Sequence, residues 1–511
     1  MFGVTRKLLR SRRQRLVRRL SDDLGAIVCG GGPSGLTSAL LLSQYGVRCA
    51  LVEPLSLVSS HPRAHVLSAR TMEIMREVGV EKPIREACPA ASEWTTFRYC
   101  SSLDGADLAV ADHSEAFEVL ERASPCGVKH VSQPLVEQAL RDAVARQSVD
   151  VYYGRFVEGL DASSGVVEVS LDNRETLRAP FVIGADGPRG PCREYVVKRS
   201  SSILSEEARR LKRECGISVG KSGSFAPALQ HFVSIHFSSL ELGQRLLKSR
   251  PAMLYFIFSP SSRPCVVVAH DLKNGVFNLQ LPFSPPYDVD KGDLTSPKQV
   301  NKALSAIIKC LPADLRVHGP SRAWAMRARL DEDFVDPSGR VFLVGDAAHE
   351  MPPSGGFGLN TAVQDAHNLA WKIATFHASS SGGEATLKDL KESYCDERRP
   401  AAAANVAVAV DNWKRGLLVP EALGTPPSIL DAFRSATSLV AAAAGPAAAS
   451  TIFRNAASAA YLTAFQPMML KRHLPRLQRL MKDKRELPLF FPNVDLGFQY
   501  ENKSAIDAAY V

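Results

Sequence analysis

The sequence predicts an α/β fold: a parallel sheet built from β-α-β units, a second, mixed or antiparallel sheet inserted between its later strands, and a helical tail. Three observations carry this. Apolar Ala26–Cys29 and 48–53 flank a helical pattern at 36–45 that Gly46 ends, a β-α-β unit within 28 residues. Two more short apolar runs, 181–183 and 341–344, lead into Asp186 and Asp346. Between them, strand-like patterning fills 231–237, 253–258, 265–270 and 276–281, punctuated by Pro and Gly.

The other elements follow in order. A charged, Ser-rich stretch near 195–213 is expected to be an exposed insertion. From 361 to 376, Ala362, Val363, Ala366, Leu369, Ala370 and Ile373 share one face of a long helix. The alanine-rich segment after 400 is helical in pattern. Near its end, Leu470, Leu474, Leu477 and Met481 recur at helical spacing among seven Lys and Arg residues. That segment is either an amphipathic helix docked on the protein or one in peripheral contact with an anionic membrane.

Composition narrows the class. At 511 residues, 45% hydrophobic and 23% charged, the chain has the balance of a folded globular protein, which excludes a disordered or collagen-like one. Ten cysteines include no C-x-x-C pair, so no zinc ribbon, disulfide scaffold or other metal site is expected. The net charge of +9 is local: residues 1–20 hold eight basic residues and no acid, and the rest of the chain is almost neutral. A nucleic-acid partner is therefore not expected. Residues 1–24 read as a basic leader of the transit-peptide type, mitochondrial by preference, with a plastid or cytoplasmic location as alternatives. The longest charge-free run, 435–453, is interrupted by Gly445-Pro446, which argues against a membrane span.

Gly30-Gly31-Gly32-Pro33-Ser34-Gly35 satisfies G-x-G-x-x-G between a strand and a helix, and Glu53 ends the next strand. The first glycine permits the turn, the second admits a pyrophosphate and the third packs helix on strand; the helix N-terminus attracts the anion. Glu53 can accept hydrogen bonds from a ribose diol. The sequence therefore predicts a dinucleotide site but not which dinucleotide.

Two further motifs, Gly184-Ala185-Asp186-Gly187 and Gly345-Asp346-Ala347-Ala348-His349, follow strands, and the second runs on into Pro352-Pro353-Ser354-Gly355-Gly356-Phe357-Gly358-Leu359-Asn360. With the glycine motif they resemble the three fingerprints of the FAD-dependent aromatic hydroxylases, single-component flavoprotein monooxygenases, in their phenol hydroxylase and hydroxyphenylpropionate hydroxylase branch. The resemblance spans about 25–400, and His61-Pro62-Arg63-Ala64, Ser68 to Ile74, Gln133 and Tyr394 to Pro400 add local matches. One departure is Gly190, where the family pattern has Ser.

The resemblance implies a Rossmann-like FAD-binding domain from 25–193 and 325–400, a substrate-binding sheet at 194–324 and a helical tail at 401–511. It assigns FAD contacts to Gly30, Gly32, Pro33, Ser34, Gly35, Glu53, Arg63, Gln133, Asp186, Asp346, Pro353, Gly355, Gly356, Gly358, Leu359 and Asn360. The resemblance implies that NADPH or NADH docks transiently without its own Rossmann unit, and no second G-x-G-x-x-G follows a strand. The implied reaction hydroxylates a phenolic or quinone-like aromatic substrate with O2 through a flavin C4a-hydroperoxide, with Pro353 beside the reacting edge. From the inserted sheet, His236, Tyr255, Phe256, Phe258, His270 and Asn278 are candidate substrate contacts, Tyr255 first, because a phenol needs a Tyr or His to take its proton. The rival readings are a dehydrogenase or reductase of the same fold and a non-catalytic FAD-fold binding protein.

Overall fold

The computed structural model describes residues 24–199, 206–219, 227–284, 294–379, 384–426, 452, 456–457 and 459–483. The basic leader, apart from Leu24, and the tail at 427–451 and 484–511 lie outside the described residues. Strands β1 (Ala26–Cys29), β2 (Cys49–Glu53), β3 (Val149–Tyr153), β4 (Phe181–Gly184) and β5 (Val341–Leu343) form a parallel sheet in the order β5-β4-β1-β2-β3. All but the edge strand β3 are buried along their whole length, which explains their unbroken apolar sequences. Helix α1 (Pro33–Gln44) crosses from β1 to β2 and packs on α2 (Phe357–Ala378), which in turn packs on α3 (Glu384–Gly416).

The second sheet has eight strands. Its path runs 316–317, 230–238, 276–283, 265–271, 254–257, 96–100 and 107–112, with 322–326 beside 230–238. It is mixed, because Leu254–Ile257 runs parallel to Thr96–Cys100. Two of its strands thus come from residues assigned by sequence to the first domain, and Arg322–Met326 straddles the expected boundary at 324. Period-two alternation gives the sheet two unlike faces. Val233, Ile235, Tyr255, Val267, Phe277 and Leu279 form one core with residues of the helices Leu240–Ser249 and Pro297–Ile307. Ser234, His236, Asn278 and Gln280 lie on the opposite face, in register with one another.

The stretch expected as an exposed insertion is only partly one. Residues 191–199 and 206–215 are helical, and Tyr195, Val196 and Leu211 are buried in the main core. In the tail, α4 (Pro467–Lys482) buries Leu470 and Leu477 in a cluster with Trp94, Phe97, Tyr99, Phe258 and Phe465. Its apolar stripe is therefore occupied by the protein, and the basic face alone is left for a membrane. No helix among the described residues is long and apolar enough to cross one.

Candidate active site

Close backbone approach shapes the turn between β1 and α1. Gly30 has φ +109°, and a Cβ there would collide with the Ala185 carbonyl, while a Cβ on Gly35 would collide with the Gly30 carbonyl. These two glycines join the first motif to the second. Ser34 joins it to the third, its Oγ lying 3.3 Å from where a Cβ on Gly345 would stand. Pro33 opens α1 where a missing N–H costs nothing. Glu53, at the end of β2, accepts from the Gly31 and Leu55 backbone N–H groups at 2.5 and 2.8 Å.

Gly32 is different: nothing lies within 4 Å of where its Cβ would be, and its φ of −74° suits any residue. The opening leaves room for a ligand beside the turn. Gly32→Ala is expected to leave the stability of the FAD-free protein within about 0.5 kcal/mol, as surface substitutions do. It should weaken FAD binding by about 1–3 kcal/mol, the usual cost of overpacking. Thermal melts of the FAD-free protein and a flavin titration would separate the two, and unchanged FAD affinity would refute the assignment.

Asp186 accepts from the Cys192 N–H through Oδ2 at 2.7 Å, and its Oδ1 is buried with no hydrogen-bond partner. Burial pushes this carboxyl up to about 6. A side chain on Gly190 would collide with the Asp186 carboxylate, so the departure from the family Ser is what lets Asp186 fold back onto the following helix. Asp346 is exposed, with its backbone carbonyl held by Arg329 Nη2 at 2.6 Å. An unpartnered buried carboxyl oxygen, an open glycine and a glycine-lined helix start fit an FAD. Gly30 to Gly35 and Glu53 would hold its pyrophosphate and ribose, and Asp186 and Asp346 its remaining hydroxyls.

The loop before α2 ends at Gly356, which caps the helix in the left-handed region at φ +70°, four residues earlier than the sequence pattern suggested. The Gly358 and Leu359 N–H groups fall in the first turn, where a helix leaves its donors for a ligand. Asn360 is one position further in, and its side chain is fully engaged. Its Nδ2 donates to the Gly356 and Val66 carbonyls at 2.6 and 3.0 Å, and its Oδ1 accepts from the Ser68 N–H at 2.9 Å. Asn360 thus fastens the loop to the strap 61–68 instead of reaching outward. Gln133 does the same from the other side, accepting from the Ala64 N–H at 3.2 Å and donating to Glu137 at 2.7 Å. Arg63 is exposed, and its charge acts on His61, Glu137 and Asp346, which places it at the cleft. Pro353 is also exposed, its carbonyl closing the turn to the Gly356 N–H at 3.0 Å; Gly355 has φ +108° beside it.

Beneath the third motif lies a buried charge cluster that the sequence motifs did not announce. Asp365 accepts from the Gly345 N–H at 3.1 Å, from His349 Nε2 at 2.8 Å and from Arg398 Nε at 2.8 Å. All three side chains are fully buried. Burial opposes the Asp365 charge, but Arg398 and His349 outweigh it and hold the carboxyl below its ordinary range. His349, fully buried against Asp365, is therefore structural.

Across the cleft, the polar face of the second sheet meets the strap. His61 Nε2 lies 2.8 Å from Ser234 Oγ, Asn278 Nδ2 donates to the Pro62 carbonyl at 3.0 Å, and the His65 and His270 rings meet edge to face at 5.2 Å. Tyr255, the first choice among substrate contacts, is not there. It is completely buried on the helix-covered face, donating to the Arg250 carbonyl at 2.8 Å. Phe258 is also core, edge to face with Phe465. His236, His270 and Asn278 lie on the face that meets the strap, and His61, His65 and His130 lie beside them. Burial holds all five histidines of this face, His61, His65, His130, His236 and His270, below their ordinary value, His130 and His236 at about 4.

A family model described as an FAD binding domain matches residues 23–203 and 213–409. The chain is 29% identical over 399 residues to the 2,4-dichlorophenol 6-monooxygenase of Delftia acidovorans, covering 74% of this chain and 61% of that enzyme. It therefore spans less than two thirds of that relative. It is 30% identical over 421 residues to the 4-methyl-5-nitrocatechol 5-monooxygenase of a Burkholderia species, covering 80% and 70%. The solved ternary complex of aklavinone-11 hydroxylase with FAD and aklavinone is similar in fold, with a TM-score of 0.62, 25% identity, and coverage of 76% of this chain and 68% of that one. The residues matched by the family model take in every group of the cleft described above, and the chain belongs to the family of FAD-dependent aromatic hydroxylases.

Proposed function

We propose that this protein is a monooxygenase that hydroxylates an aromatic substrate at a position activated by a phenolic hydroxyl, with O2 and NAD(P)H as co-substrates. The observation that carries this is the strap 61–68, tied to the glycine loop by Asn360 and to the polar sheet face by His61 and Pro62. It sets a row of neutral histidines beside the cofactor cradle. When bound, FAD accepts a hydride from the nicotinamide and activates oxygen. The chain must orient the ring, exclude water and take the phenolic proton, which makes the ring more nucleophilic.

His65 suits the last task. His130 Nε2 lies 2.9 Å from the Ala269 carbonyl, which can only accept, so this nitrogen carries the proton. His130, held neutral by burial, then offers Nδ1 as an acceptor to His65 Nδ1–H at 3.2 Å. A neutral His65 is left with a bare lone pair on Nε2. The carbonyl thus selects the tautomers of two histidines and leaves a proton acceptor on the strap.

The test is NADPH oxidation by purified, FAD-loaded protein with a panel of phenols, reading O2 uptake and product mass together. A product gaining one oxygen atom from O2 supports the proposal. Product dehydrogenated or reduced without oxygen gain would move it to the dehydrogenase reading, and a chain that cannot be loaded with FAD to the non-catalytic one. We also propose, on composition alone, that residues 1–24 direct the chain to mitochondria. A fluorescent fusion lacking them should lose that location, and unchanged distribution would defeat the idea.

A further inference from the structure

The polar face of the second sheet carries a hydrogen-bond chain whose every donor and acceptor is determined by its two ends. At one end Trp324 Nε1, which can only donate, lies 3.0 Å from Gln280 Oε1. The Gln280 amide is thereby oriented, and its Nε2 donates to Ser234 Oγ at 3.0 Å. At the other end the Pro62 carbonyl, which can only accept, lies 3.0 Å from Asn278 Nδ2, so Asn278 Oδ1 faces Ser234 as an acceptor at 2.8 Å. The single Ser234 hydroxyl proton must go to Asn278. His61 Nε2, 2.8 Å from the same oxygen, has no proton to receive from it and must donate its own.

His61 is kept neutral by burial and by the Arg322 and Arg63 guanidiniums beside it. With Nε2 protonated and the ring neutral, Nδ1 holds a lone pair, and it makes no hydrogen bond among the described residues. This is a second proton acceptor on the strap, built independently of His65 Nε2. We propose that His61 is a specificity-determining residue that selects substrates carrying a second hydrogen-bond donor, and that Trp324 is a positioning residue acting through Gln280 and Ser234. The substrate class is then an aromatic diol or a phenol with an N–H, in preference to its methyl ether or quinone, which offer only acceptors. His270, buried with both ring nitrogens unpartnered, does not reverse this preference, because a neutral imidazole offers one donor and one acceptor.

The inference rests on the phenol-hydroxylase reading, and the experiment separates the two. FAD-loaded protein is titrated with the isomeric dihydroxynaphthalenes and their monomethyl ethers, following both the flavin absorbance and ligand fluorescence. In the wild type, at least one diol is expected to bind about 10–100-fold more tightly than its ether, since an ether leaves the acceptor unpaired. His61→Leu should reduce that ratio to a few-fold without changing FAD content. Trp324→Phe, which keeps the ring stack on Phe232, should reduce it in the same direction from two side chains away. Ratios near one for every wild-type pair would overturn the inference, as would variants that weaken diol and ether equally. Failure of every naphthol to bind, with no phenol-dependent NADPH oxidation, would instead overturn the hydroxylase reading and the inference with it.

Discussion

Arg398→Ala is expected to cost about 3–5 kcal/mol of folding stability, the usual penalty for removing one partner of a buried ion pair. Arg398 is completely buried and bonds Asp365, which also receives the Gly345 N–H and His349. Without the guanidinium, a carboxylate remains in the core beneath the loop that carries Asp346. Urea unfolding of the FAD-free protein measures the loss directly; a change below about 1 kcal/mol, the surface-pair range, would show that the cluster is well solvated. The pH dependence has a fixed sign. Asp365 is held below the ordinary aspartate range by Arg398 and His349, so its contribution is present above that range and lost as pH falls through the lower folded value. Wild type and variant should therefore converge in strong acid.

His65→Asn is expected to lower the turnover of weakly acidic phenols about 10²–10⁴-fold, the range for loss of a general base. Asparagine can still donate from Nδ2 to His130, so the strap keeps that contact while the distal lone pair disappears. The protein should still load with FAD, because the hydrogen bonds that tie the strap to the glycine loop come from Asn360 to Val66 and Ser68 and not from His65. The informative readout is the dependence on substrate acidity: nitrophenols, already ionised at neutral pH, should lose much less than unactivated phenols. An equal loss across the series would mean that His65 only supports the strap.

Much of the cofactor cradle was legible because its signals are local. A glycine that must turn, a helix that must start and a carboxylate at a strand end fall within one β-α-β unit, so Gly30, Gly35 and Glu53 could be placed by spacing alone. The substrate side was less legible. The strand-like run located Leu254–Ile257, but all four residues are apolar or aromatic, so nothing marked which face each would take; in the fold Tyr255 pairs with Val267 and shares the helix-covered core with it. The strands at 96–112 were invisible as members of this sheet, since their partner lies about 150 residues away in sequence. The same is true of the proton acceptors. His61 was visible as part of a family-like segment and His65 was not singled out; the tautomers of both depend on Asn278, Trp324 and Ala269, which only the folded chain brings to them.

Asn360 fastens the strap to the loop at the start of α2, while His61 and Pro62 fasten it to the sheet. One short segment therefore touches both the glycine loop and the polar face proposed to meet the substrate, and neither side can reorder it privately. Any tightening of the strap on loading the cradle is a tightening already made when an aromatic ring arrives, and the reverse order gives the same factor. On the proposed function, the two affinities are expected to be coupled reciprocally through these eight residues, each ligand tightening the other by the same factor whichever binds first.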